Sequence, residues 1–245
     1  MLNPLSPVTD YQSMLNRISW FTTASALGAI WLLRRHVEPV DVFLGQIDSV
    51  LTVEGSKALA IRGGYLAPAL ALGVAARVFR LHAKISDWLG IREYFDVEVI
   101  IRGFAERLDI DLEQTPAGEI VRARHHIMRK AFYPFVSGSQ PSIDRQLVQQ
   151  ALDAWSWFWV GVEATLIFTL TGLGLIACNA YEAGFQTLGC ALGAAVLVLP
   201  TLYRQCRLFA MAQVRAILDD PAREAVVRSV LMPNAAERIR PRLAA

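Results

Sequence analysis

The chain has 245 residues, of which 54% are hydrophobic and 19% charged, and its mean hydropathy is +0.35. It is too apolar for an ordinary soluble domain, in which about a quarter of the residues are charged. A net charge of +2 is too small to favour nucleic acid as the main partner, so no binding of duplex DNA is expected. Cys178, Cys190 and Cys206 predict neither a disulfide framework nor a metal site, because their number is odd and no metal spacing is present.

Two apolar stretches in the N-terminal third are candidate membrane spans. A helix needs about 20 apolar residues to cross a bilayer core. Residues 18–33 are only 16 in number and end at Arg34 and Arg35, so this stretch is short for a full span. Residues 59–79 are interrupted by Arg62, the glycine pair Gly63 and Gly64, and Pro68.

Two further stretches follow in the C-terminal half. Residues 155–180 open with three tryptophans in alternation, which is typical of an aromatic belt at a membrane interface. Residues 185–203 follow after a turn of about four residues, so these two spans should form an antiparallel hairpin. We therefore predict an all-α membrane protein with about four transmembrane helices and a helical cytoplasmic insert between the second and the third.

The distribution of basic residues predicts the orientation, because cytoplasmic segments of membrane proteins are rich in lysine and arginine. Residues 77–150 contain eleven basic residues and the tail after Tyr203 contains eight arginines, whereas the turn at 181–184 contains none. Both termini and the central segment are therefore expected in the cytoplasm, and the turn at 181–184 outside. Arg34 and Arg35 do not fit, since this topology places them outside. Either the later helices override them, or the first two stretches form a shallow hairpin that does not cross.

Four regions follow from these patterns. They are an N-terminal membrane region with two apolar helices (1–80), a cytoplasmic helical domain (81–150), a transmembrane hairpin (151–210), and a cytoplasmic C-terminal helix and tail (211–245). Helical spacing of the apolar residues predicts helices over 96–108 and 116–132 within the cytoplasmic domain.

Glu163 is the most prominent candidate for function. It lies two turns inside the third stretch, where a carboxylate is costly and tends to face a pathway or a partner. Small and hydroxyl residues recur on one side of the same helix at spacings of four and three: Gly161, Thr165, Thr169 and Gly172. With Glu163 they are candidate pore or gating residues, although close helix packing predicts the same pattern. In the structural alternative, Glu163 reaches the interface near the tryptophans or pairs with Arg62.

Gly189 and Gly193 form a GxxxG pair in the fourth stretch, which favours close packing of helices within one chain or between chains. A bundle of four spans encloses little room. A conducting path would therefore lie on the axis of a homo-oligomer.

A basic face is predicted on the 116–132 helix from Arg122, Arg124, Arg129 and Lys130. Arginine offers a planar fork of donors, so this face is a candidate site for an anion or a phosphate-bearing regulator. Contact with anionic membrane lipid is the alternative.

Enzymatic activity is not expected. The sequence contains no GxxxxGK[ST] or GxGxxG phosphate loop, no HExxH, no GxSxG elbow and no CxxC. No cofactor is predicted.

The segment LHAKISDWLGIREYFDV (81–97), the basic helices after it and the tryptophan-led hairpin resemble the plan of small membrane effectors in bacterial anti-phage defence operons, of the Hailong type. The resemblance implies a homo-oligomeric ion channel that a partner nucleotidyltransferase, or its oligonucleotide product, keeps closed until infection. The expected function is thus a channel-forming effector gated through its cytoplasmic helical domain. A non-conducting membrane anchor or scaffold for a cytoplasmic partner is the alternative.

Overall fold

A computed structural model describes residues 5–51, 63–112, 115–137 and 141–232. In these ranges 86% of the residues are helical and no strand occurs. The helices are α1 (Tyr11–His36), α2 (Glu38–Leu51), α3 (Gly63–Val78), α4 (Leu81–Trp88), α5 (Ile91–Phe95), a π-helical segment π1 (Asp96–Ile101), α6 (Arg102–Arg107), α7 (Ala117–Ile127), a second segment π2 (Met128–Phe132), α8 (Tyr133–Val136), α9 (Arg145–Ala177), α10 (Tyr181–Leu218) and α11 (Pro221–Leu231).

Two of these helices are long and apolar enough to cross a membrane, namely α9 with 33 residues and α10 with 38. The bent pair α3 and α4 is a third candidate if the two helices form one span. The prediction of an all-helical protein with membrane-spanning helices is confirmed at this level. Residues 18–33 lie inside α1, whereas residues 59–62 of the second stretch lie outside the described residues.

The chain divides into two compact units. Unit 1 comprises residues 1–82 and 153–203, and unit 2 comprises residues 83–152 and 204–245. Each of the four predicted regions is one continuous segment of sequence, whereas each unit combines two segments that are far apart in sequence. Helices α9 and α10 each contribute residues to both units.

In unit 1, α1 runs beside α9 in the same direction. Arg17, near the start of α1, donates hydrogen bonds to Asp153 (2.7 Å) and Ser156 (2.8 Å) near the start of the apolar part of α9. At the other end of α1, Leu33 packs near Gly174. These contacts follow one another in the same order along both helices, so the two helices are parallel.

Helix α3 runs in the opposite direction along α1. Arg77 at its end donates a hydrogen bond to Asn16 near the start of α1, whereas Tyr65 at its start lies under the guanidinium of Arg34, with 4.6 Å between Cζ and the ring centroid. Between these ends the helices approach closely at Gly73, where a Cβ would collide with Thr23. Glycine permits this approach because it presents no side chain to α1.

Helix α10 returns along α9. The rings of Phe158 and Tyr203 lie 6.2 Å apart at one end, and at the other end a Cβ on Gly172 would lie 3.0 Å from the carbonyl oxygen of Gly184. Unit 1 thus contains α1, α3 and the apolar parts of α9 and α10, with neighbours antiparallel except for α1 and α9.

The basic end of α1 is neutralised by α2. The side chain of Arg34 is 8% exposed and donates to Asp41 Oδ1 (2.5 Å) and Asp48 Oδ2 (2.8 Å). Asp48 also accepts a hydrogen bond from the backbone N–H of Gly64, at the start of α3 (2.6 Å). Asp41 and Asp48 of α2 therefore compensate the charge of Arg34, which the orientation predicted from the sequence did not explain. Asp48 also connects the end of α1 to the start of α3.

Unit 2 has its own apolar core. Phe104 and Phe132 meet edge to face with 6.3 Å between ring centroids. Ile101, Met128 and Val214 are also fully buried. The core therefore joins the α5–π1–α6 run to the α7–π2 run and to the second half of α10.

Candidate functional site

Glu163 is buried in unit 1 with 2% of its surface exposed, and it faces α1. Its carboxyl group forms a hydrogen bond with the hydroxyl of Thr22, which also contacts the Ile18 carbonyl oxygen at 2.8 Å. No ion pair of Glu163 occurs among the described residues, and Arg62 lies outside them. Glu163 therefore links α9 to α1 through a buried hydrogen bond.

The small and hydroxyl residues of α9 lie on the other side of the helix from Glu163, because successive residues are about 100° apart. A Cβ on Gly161 would lie 2.8 Å from Leu199 of α10, and Gly172 faces Gly184. The side of α9 that carries these glycines therefore packs against α10. Within one chain, Glu163 and the glycines therefore face different helices and do not line one common pore.

The two threonines of this set make different contacts. Thr165 Oγ1 donates to the carbonyl oxygen of Gly161 within its own helix, at 2.8 Å. Thr169 Oγ1 is buried and has no hydrogen-bond partner in the part of the chain that the structure describes. Thr169 is thus the member of the set whose polar atom the packing of unit 1 leaves unsatisfied.

Gly189 and Gly193 of α10 face open space, since no atom lies within 4 Å of a Cβ built on either. Only 6% of the most apolar 18-residue window of α10 is buried, against 22% for α9. Large apolar side chains around the glycines are exposed, among them Val196 and Leu197. The GxxxG pair thus makes no helix contact among the described residues of one chain.

The predicted basic face is divided by the fold of unit 2. Arg122, Arg129 and Lys130 are exposed. Arg124 is buried, with its Nη1 3.6 Å from Glu93 and its Nε 3.9 Å from Asp96. Three of the four residues therefore remain available to an anion at the surface, and the fourth is directed at carboxylates of α5 and π1.

Asp96 and Arg124 form a buried polar cluster that sequence analysis missed. Asp96 Oδ2 lies 3.9 Å from the Nε atoms of both Arg92 and Arg124, and Arg124 Nε has no hydrogen-bond partner among the described residues. Burial raises the pKa of Asp96 to about 6, and the opposing effects of Arg92 and Arg124 are smaller. The spacing of four residues between Arg92 and Asp96 could be recognised in the sequence, but the approach of Arg124 on α7 to Asp96 could not.

Arg17 is a second buried charge that sequence analysis missed. Besides its bonds to α9, it donates to the carbonyl oxygen of Ser6 (2.6 Å) and stacks over the Trp157 ring at 4.9 Å. Arg17 lies one residue before the first apolar stretch, and this position was the sequence feature that could have indicated a buried charge. In the ranges that the structure covers, no three His, Cys, Asp or Glu side chains are grouped to hold a metal.

The titration of Asp96 predicts how the stability of unit 2 depends on pH. Because its pKa is higher in the folded state (about 6) than the ordinary value of 3.8, the folded chain holds more protons between these pH values. The unfolding free energy should therefore fall by about 3 kcal/mol in total as pH rises from about 3 to about 7, mostly between pH 4 and 6, and level off above. Hydrogen exchange of residues 91–107, corrected for intrinsic rates, measures this change.

Asp96→Asn should remove this pH dependence, whereas Asp87→Asn, which removes an exposed carboxylate on α4, should retain it. An unchanged slope in Asp96→Asn would assign the dependence to another group.

The family comparison covers most of the chain. The model of the YmfE protein family matches residues 10–228, which include every helix from α1 to α10 and most of α11. No curated protein and no solved structure matches the chain. Because the match extends over well more than half of the sequence, this chain belongs to the YmfE protein family.

Proposed function

We propose that this protein is a channel-forming effector of the bacterial inner membrane that assembles as a homo-oligomer through α10. The exposure of α10 supports this most directly. An apolar helix that its own chain leaves uncovered is covered by lipid or by another protein, and the open pair Gly189 and Gly193 favours close contact with a second α10. The conducting path would lie on the axis of the oligomer.

The proposed topology has four spans, with both termini and unit 2 in the cytoplasm. Helix α1 runs beside α9 and α3 runs beside α1, and α1, with 26 residues, is about 39 Å long, which suffices to cross a bilayer core. Arg34 would then lie outside, against the usual charge bias. Its pairing with Asp41 and Asp48 supports this placement, because the local charge is compensated.

Unit 2 is the proposed gate regulator. Its exposed basic residues Arg122, Arg129 and Lys130 would bind a phosphate-bearing oligonucleotide or a nucleotidyltransferase partner. The role in anti-phage defence rests on the resemblance of residues 81–97 and the overall plan to Hailong-type effectors. Glu163 and Thr22 would act as a gating brace, since their hydrogen bond holds α1 on α9.

A second candidate function is a non-conducting membrane anchor for a cytoplasmic partner. One observation favours it: Glu163 and the glycines of α9 are all engaged in packing inside a single chain. The anchor requires no oligomer and no ion flux.

Leucine at Gly189 and Gly193 should abolish the oligomer without disturbing the chain, because both positions are open in the monomer. Cys190 is exposed beside them, so oxidative cross-linking through Cys190 should trap wild-type dimers in nanodiscs and fail in Gly189→Leu/Gly193→Leu. Gly45→Leu is the matched control, because Gly45 is an equally open glycine on α2.

Unchanged cross-linking in the α10 variant would exclude this interface. A monomeric wild-type chain that never depolarises the membrane when expressed would instead leave the anchor as the function.

Removal of the Glu163–Thr22 hydrogen bond should raise resting ion flux through reconstituted vesicles. Thr22→Val and Glu163→Leu each delete a contact of about 1 kcal/mol, which corresponds to about a fivefold shift toward the open state. Glu163→Gln keeps a hydrogen-bond acceptor and should stay near wild type. If both Glu163 variants alter the flux and Thr22→Val does not, the carboxylate charge matters rather than the brace; equal flux in all variants removes the pair from gating.

Charge reversal of the exposed basic residues should weaken regulator binding. We expect Arg122→Glu/Arg129→Glu/Lys130→Glu to lower the affinity of the detergent-solubilised protein for a fluorescent single-stranded oligonucleotide at least tenfold. Arg107→Glu, an exposed arginine elsewhere in unit 2, is the control. Binding that appears only with anionic vesicles and never with the oligonucleotide would assign these residues to lipid.

A further inference from the structure

An exposed aromatic surface lies at the start of unit 2, where α4 passes into α5. Trp88 is 81% exposed, Tyr94 60% and Leu89 53%. We refer to these three side chains as the aromatic surface. Ile85 and Phe95 in the same helices are buried, so the segment is folded onto the core of unit 2 while its largest apolar groups remain outside.

We propose that the aromatic surface docks on the cytoplasmic leaflet of the bilayer at the level of the lipid headgroups. This inference rests on the proposed topology, in which α3 ends at the cytoplasmic boundary of the membrane. Tryptophan and tyrosine are enriched at that depth, because their rings are apolar while the indole N–H and the phenol O–H still contact water.

Chain continuity supports this occupant. Val78 and Phe79, at the end of α3, are both exposed, and Arg80 adopts a left-handed conformation that ends the helix before α4 begins. Trp88 follows Phe79 by nine residues. With a helical rise of about 1.5 Å per residue, it stays within about 15 Å of the end of α3, close enough to reach the headgroup region.

The charges near the aromatic surface determine its chemistry. Lys84 and Asp87 are exposed one turn and one residue before Trp88. Arg92 lies 3.9 Å from Asp96, and Glu93 lies 3.6 Å from Arg124, so the charged side chains of α5 have partners within unit 2. On α4 and α5 two basic side chains match two acidic ones, so docking of the aromatic surface itself depends on apolar burial and should not require anionic lipid.

These charges also argue against placing α4 in the hydrocarbon core as the second half of a broken span. Lys84 and Asp87 would both be exposed to lipid tails there, which is costly. The headgroup level accommodates the charges and the rings together.

Spin labels measure the depth of the aromatic surface directly. The label is attached at Trp88→Cys, and separately at Leu89→Cys, in a chain with Cys178→Ser, Cys190→Ser and Cys206→Ala. The protein is reconstituted in nanodiscs of phosphatidylcholine, with and without phosphatidylglycerol. Accessibility to oxygen and to a water-soluble nickel chelate gives the depth. Labels at Glu106→Cys, exposed in unit 2, and at Leu197→Cys, exposed on α10, provide the aqueous and lipid references.

We expect nickel accessibility at positions 88 and 89 to be at least threefold lower than at position 106, with a depth shallower than at position 197 and the same in both lipid mixtures. Accessibility equal to that at position 106 overturns the proposal, since the surface is then aqueous and open to a protein partner. A depth equal to that at position 197 also overturns it, in favour of a broken span. Neither result depends on conduction, so failure of the channel proposal remains distinguishable.

Discussion

The position of α1 depends on one buried charge, that of Arg17. A guanidinium in an apolar bundle must have its donors satisfied inside the protein. Arg17 achieves this with Asp153, Ser156 and the carbonyl oxygen of Ser6. These bonds fix the register of α1 on α9, and that register brings Thr22, five residues further along, to Glu163. The buried carboxylate of Glu163 therefore meets its partner because the contacts of Arg17 fix the register of α1 on α9.

The all-helical fold class and the apolar stretches of the chain were predictable because they depend on local properties, namely the length of apolar runs and helical periodicity. The pairing of Arg17 with Asp153 was not, because it joins residues 136 positions apart and requires the helix register. Arg124 illustrates the same limit. Periodicity groups it with exposed basic residues, but Asp96 and Glu93 on another run direct it inward.

Helices α9 and α10 have similar hydropathy but different surroundings. The mean hydropathy of their apolar windows is 1.8 and 1.7, yet the buried share differs by more than threefold. Hydropathy alone therefore identifies a candidate span but cannot distinguish a helix enclosed by its own chain from one at the perimeter. The glycines make this distinction visible: Gly161 and Gly172 of α9 contact α10, whereas Gly189 and Gly193 face no described side chain or neighbouring helix of the chain.

The pairing of Arg34 with α2 has a consequence for biogenesis. During synthesis, α1 emerges before the carboxylates that neutralise its basic end, and Asp48 follows Arg34 by 14 residues. In the proposed topology, the positive end of α1 therefore opposes translocation until α2 has been made. In that topology the hairpin of α1 and α2, with its paired charges, would be the unit that inserts, rather than α1 alone.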